Sequence, residues 1–261
     1  MTPSNRQFGR RSALGLGLIL LLAGCSGLSQ QWTQAWQAQR SFHDGLARYE
    51  AKDYRGAIPY FARALAEEPD FDEAGAYLAW SYYYVGDYVQ ATRHFRQALA
   101  RQPRWEGLHT GLGWSRYRVG RYHLALEAFQ AALAINHRYR NAAVGRAYAL
   151  FELGRYAEAL PQLERLTRES AFYFPDGNSD VEEVRSRYAW CLYYTGGYQE
   201  AHAEFAKGIQ AHPKREGLHN GLGWTYLKLG DRDKARESFQ RALQLDPDYA
   251  DARAGLAEAS R

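Results

Sequence analysis

The chain has 261 residues, a formal net charge of +4 and only two cysteines, Cys25 and Cys191. Residues 1–24 hold three arginines and no acidic residue, so removing them from +4 leaves +1; with no basic tract elsewhere, the composition excludes nucleic acid as a partner. There is no GxSxG elbow, HExxH, CxxC pair or phosphate-binding glycine loop, and the eight histidines lack metal-ligand spacing, so the sequence points to no enzyme, no cofactor and no metal.

At the start of the chain, Arg6, Arg10 and Arg11 precede an uninterrupted apolar run from Ala13 to Ala23. A membrane-spanning helix needs roughly 20 apolar residues, so this shorter run with its basic start and small-residue end predicts a signal peptide over 1–24. Arg10-Arg11 also fits a twin-arginine export signal, but Gly9 before it and the leucine-rich run after it favour the ordinary secretory route. The closing residues Leu22-Ala23-Gly24-Cys25 resemble the bacterial lipobox. That resemblance implies that Cys25 is lipidated and becomes the mature N-terminus, palmitate being among its acyl groups. Ser26 rather than aspartate after it implies transfer to the outer membrane, on the periplasmic face. Several acyl chains together make such an anchor stable, whereas one alone is marginal. Acylation of Cys25 would leave Cys191 without a disulfide partner in the chain. Residues 25–37 are expected to form the lipidated N-terminus and a short tether or capping helix.

From residue 38 a period takes over. Ala57, Ala91, Ala125, Ala159, Ala201 and Ala235 follow one another at 34, 34, 34, 42 and 34 residues. Four residues after each alanine stands Phe61, Phe95, Phe129, Leu163, Phe205 or Phe239, and three further on Ala64, Ala98, Ala132, Leu166, Gly208 or Ala242. Steps of four and three keep these residues on one face of one helix. Five residues before the alanine lies Gly86, Gly120, Gly154, Gly196 or Gly230, with Lys52 in the first copy, where a helix must end in a left-handed residue. Two residues beyond that position come Tyr54, Tyr88, Tyr122, Tyr156 and Tyr198, with Arg232 in the last copy. Pro69, Pro103, Pro213 and Pro247 close four of the second helices.

This pattern resembles the tetratricopeptide repeat, which implies an all-α, right-handed superhelix: an α-solenoid of about six helix-turn-helix units. With each alanine at position 20 of 34, units one to four occupy 38–173 and units five and six lie within 182–261. An inserted loop, 174–181, separates them; it contains Pro175-Asp176-Gly177-Asn178, and Ser179 with Glu182 reads as a capping box that restarts the helix. Residues 250–260, with Ala250, Ala254 and Ala257 on one face, are expected to form a C-terminal capping helix.

In this family the first helix of each unit lines a concave groove, with positions 2, 5, 9, 12 and 13 facing it. Carried over to this chain, position 9 holds Trp80, Trp114, Tyr148, Trp190 and Trp224, position 12 includes Tyr83, Tyr117 and Tyr193, and position 13 adds Tyr84 and Tyr194. Tryptophan and tyrosine combine apolar area with a polar edge, which suits them to grip an extended peptide or to stack on sugar rings. The same rings could instead pack between neighbouring helices. The stretches 106–114 and 216–224 differ at one residue in nine, so the chain also looks like a duplicated block. The resemblance implies a non-enzymatic scaffold in the assembly of an envelope machine, with a protein or peptide of the cell envelope in its groove. A carbohydrate-binding component of polysaccharide export is the alternative, and the membrane is reached through the N-terminal lipid.

Overall fold

The computed structural model describes residues 26–169 and 180–261, and among these every regular element is a helix. The expected signal peptide, Cys25 and most of the expected loop at 174–181 lie outside the described residues. The chain forms two compact units, one holding residues up to Gly120 with Ala131–His137, the other Arg121–Gln130 with Arg138–Arg261. The first unit contains α1 (Ser26–Glu50), α2 (Tyr54–Glu67), α3 (Asp72–Tyr84), α4 (Tyr88–Arg101) and α5 (Glu106–Arg118). Helix α6 (Tyr122–Ile135) divides between the units. The second unit continues with α7 (Arg140–Glu152), α8 (Tyr156–Glu169), α9 (Asp180–Tyr194), α10 (Tyr198–Ala211), α11 (Glu216–Leu229), α12 (Arg232–Leu245) and α13 (Ala250–Ala259).

The turns follow from local chemistry. Gly86, Gly120, Gly154, Gly196 and Gly230 take φ between 71° and 89°, and Lys52 does the same at 62°. All six are the left-handed residue that satisfies the last carbonyls of a helix. Asp53, Asp87 and Asp231 then start the next helix, their carboxylates accepting from the backbone N–H of Gly56, Gln90 and Lys234.

The core repeats with the sequence. Ala57, Ala91, Ala125, Ala159, Ala201 and Ala235 are all fully buried, as are Phe61, Phe95, Phe129, Leu163, Phe205 and Phe239. Each phenylalanine from Phe95 onward faces a glycine 16 residues later on the next first helix. A Cβ on Gly111 would stand 2.2 Å from Phe95, on Gly145 2.3 Å from Phe129, on Gly221 2.4 Å from Phe205, and on Gly255 2.3 Å from Phe239. Only a hydrogen in place of a side chain lets the ring press against helix backbone there. Two copies solve the contact differently. Phe61 stacks on Tyr77 with centroids 5.5 Å apart, while the shorter Leu163 coincides with Arg187 at the glycine's place. The Arg187 guanidinium lies 4.0 Å over the Tyr148 ring, donates to Glu152 at 3.1 Å and pairs with Glu183.

Helix α1 departs from this uniformity. It has 25 residues where α3, α5 and α7 have 13, because 26–37 and the first repeat helix run together without a break.

Candidate functional site

In the first unit the rings at 80, 83 and 84 share one face of α3, and the repeat places other rings around them. Trp80 meets Phe95 edge-on at 5.1 Å and lies nearly parallel to Tyr84 at 5.9 Å. Tyr84 also stacks on Tyr54 of the preceding pair, 4.4 Å between centroids and 22° between planes. Tyr83 turns its edge to Trp80 and to Tyr88, each at 5.5 Å, and Arg118 of α5 lies 4.8 Å over the Tyr88 ring. On α5, Trp114 and Tyr117 contact each other edge-on at 5.5 Å.

The second unit builds the same cluster again. Trp190 meets Phe205 edge-on at 5.3 Å and lies nearly parallel to Tyr194 at 5.7 Å, and Tyr194 stacks on Tyr156 at 4.2 Å and 16°. Tyr193 turns its edge to Trp190 at 5.5 Å and to Tyr198 at 5.6 Å. Each cluster is therefore a stack of one indole and two phenols from two consecutive helix pairs, flanked by two more phenols. Offset and edge-to-face contacts are the arrangements that ring quadrupoles favour, so the clusters hold their shape without a ligand.

Exposure separates the ten groove candidates. Trp80 and Tyr148 are each 7% exposed and committed to packing, Trp80 against Tyr84 and Phe95 and Tyr148 beneath Arg187. Tyr194 is 50% exposed, although its ring stacks on Tyr156 and Trp190. Tyr83, Tyr84, Trp114, Tyr117, Trp190, Tyr193 and Trp224 are half-buried. Trp224 is committed by polar contact as well: its Nε1 donates to Asp251 at 3.0 Å, Asn220 Nδ2 donates to the same carboxylate oxygen at 2.7 Å, and the indole meets Phe239 edge-on at 5.4 Å. The packing reading left open by the sequence therefore holds for Trp80 and Tyr148, and Trp224 is pinned at its indole nitrogen. Of the ten, Tyr194 is the one in the exposed class.

Burial, together with the neighbouring Tyr194 and Tyr198 hydroxyls, pushes Tyr193 up to about 12, and burial beside Tyr156 raises Tyr194. These rings are neutral at physiological pH and suit apolar contact and hydrogen bonding. Among the described residues no group of His, Cys, Asp or Glu could hold a metal, and no helix is long and apolar enough to cross a membrane. His109 and His219 each hold Nε2 against the carbonyl of the proline six residues earlier, in the turn that joins the preceding helix pair to their own, at 2.8 Å and 3.0 Å.

Sequence reasoning missed Tyr54 and Tyr156, which complete the stacks. They are visible in the sequence only as markers of repeat register two residues past the turn. The role of Asp251 was missed too, since nothing in the capping helix marks it.

Family models of the tetratricopeptide repeat match residues 48–112, 110–173 and 217–249, together more than half of the chain. Among solved structures, YrrB, described as a TPR protein with an unusual peptide-binding site, superposes with a TM-score of 0.63 at 23% identity, covering 74% of this chain and 96% of its own. PilF of Pseudomonas aeruginosa gives a TM-score of 0.67 at 18% identity, over 87% of this chain and 99% of that one. MamA of Desulfovibrio magneticus gives 0.60 at 15% identity, over 69% and 98%. Among curated proteins none matches the chain.

Proposed function

Because the chain belongs to the tetratricopeptide repeat family, we propose that it is a non-enzymatic adaptor, tethered by lipid at Cys25 to the periplasmic face of the outer membrane, that binds extended protein segments on its aromatic clusters. The observation that carries this reading is the cluster of parallel rings built twice in the same geometry, once around Tyr84 and once around Tyr194. Preformed, neutral and partly exposed rings supply large contact area at low entropic cost, the property of residues that dominate binding surfaces. A protein of the same fold that carries a peptide-binding site is consistent with it. The Leu22-Ala23-Gly24-Cys25 sequence supports the anchor, and envelope machines are the assemblies such an adaptor would serve.

Polysaccharide is the second reading, favoured by the half-exposed aromatic stack around Tyr194, against which a sugar ring could pack. Peptide and glycan arrays probed with wild-type protein and with Tyr84→Ala/Tyr194→Ala separate the two. We expect peptides to be retained and their binding to fall at least tenfold in the double variant, with Tm lowered by the lost ring contacts but helicity unchanged at the assay temperature. Retention of glycans alone would transfer the function to the second reading. Peptide binding untouched by the double variant would remove the clusters from the site.

A further inference from the structure

Helix α1 is about twice as long as the helices that occupy its place in later pairs, 25 residues against 13. At 1.5 Å per residue the surplus amounts to roughly 18 Å of helix beyond what one pair requires. Two tryptophans stand in it. Trp32 is 60% exposed and Trp36 61%, more than any other described tryptophan, and they lie one turn apart. One turn further on the same side, the Arg40 guanidinium lies 5.6 Å from the Trp36 ring centroid. From Ser26 to His43 there is no acidic residue, and Arg40 is the only arginine or lysine.

An exposed aromatic face needs an occupant, and the chain ahead of it indicates which. Helix α1 already includes Ser26, the residue after Cys25, so no linker residues separate a lipid on Cys25 from the helix. Along a helix, Trp32 follows Cys25 by roughly 10 Å and Trp36 by roughly 16 Å. We propose that the Trp32–Trp36–Arg40 face of α1 lies in the interfacial layer of the membrane that holds the Cys25 acyl chains; the proposal rests on the lipid anchor proposed above. Indoles are at home at the headgroup boundary, where the ring contacts acyl chain and the N–H stays hydrated. The guanidinium on the same side meets lipid phosphate, and the absence of carboxylates removes the repulsion that an anionic surface would otherwise exert. No described helix can cross the membrane, which agrees with a helix lying on it rather than through it. The acyl chains then supply retention, and the tryptophans fix how the repeats are presented.

The test uses full-length protein matured in its own envelope and reconstituted into phosphatidylethanolamine–phosphatidylglycerol vesicles with brominated acyl chains, which quench tryptophans at the interface. The chain has seven tryptophans, of which Trp32 and Trp36 are the two on this face. Wild type should lose fluorescence on reconstitution, and Trp32→Phe/Trp36→Phe should lose essentially none while still floating with the vesicles. Arg40→Glu should reduce the quenching when phosphatidylglycerol is present and leave it nearly unchanged in neutral vesicles. Equal quenching in wild type and the double phenylalanine variant would overturn the proposal, as would a self-association in detergent that the variant abolishes without any lipid quenching. Mass spectrometry of the Cys25 peptide separates the two claims. An unacylated chain whose Trp32 and Trp36 are still quenched would defeat the anchor and keep the interfacial face. An acylated chain whose tryptophans escape quenching would keep the anchor and defeat the face.

Discussion

At Gly111 a single hydrogen decides how closely two helices approach. A Cβ there would fall 2.2 to 2.8 Å from three atoms of the Phe95 ring, which is itself fully buried. Gly111→Ala should therefore cost about 1–3 kcal/mol by overpacking. Gly75, also inside a helix, has only Leu65 Cδ2 within reach at 4.0 Å, so Gly75→Ala should stabilise by about 0.5–1 kcal/mol through backbone entropy. Urea midpoints at constant m check the pair, and effects of the same sign would refute the contact geometry. Cys191 makes a second case. It is fully buried, and burial pushes its thiol up to about 12 against the opposing pull of Arg187. The folded state thus favours the neutral thiol. Its contribution is whole below the unfolded value near 8.5 and is lost as pH rises towards about 12. A thiol reagent at pH 8 should label Cys191 only on unfolding, and the urea midpoint should fall above pH 9, less steeply in Cys191→Ala. Labelling at equal rates with and without urea would contradict the burial argument.

At the scale of the element, the ends of helices were legible because they depend on neighbours in sequence. A glycine in the left-handed conformation closes five of the described helices where the spacing placed it, whereas the aspartates that accept from the N-terminus of three were seen only in the structure, although they too act within three residues. Lys52 is the exception that tests this. It adopts φ 62° with a side chain that pays for the conformation, so Lys52→Gly should stabilise by about 1 kcal/mol, and Gly154→Ala should lose a similar amount. Melting temperatures of the two variants should move in opposite directions. The joining of 26–37 to the first repeat helix was not legible, because a boundary is read from breakers and caps, and the sequence carries no proline anywhere from 26 to 50.

For the whole molecule, the proposed anchor has a direct readout. Cys25→Ala should leave uncleaved precursor and release no lipid-modified protein; normal maturation of that variant would end the lipoprotein reading. The 34-residue period, the buried alanine and phenylalanine series and the all-α fold class were all contained in the sequence, because each is a regularity of spacing that helix geometry turns into one packed face. How far each aromatic ring is exposed was decided only in three dimensions. Trp80 and Tyr148 share repeat position 9 with Trp114 and Trp190, yet the first two are buried and the second two half-buried. The reason is that a ring's exposure is set by side chains from other elements, such as Arg187 lying 39 residues away across Tyr148, or Asp251 of α13 holding Trp224, and position within a repeat carries no record of what the neighbouring helix brings to the contact.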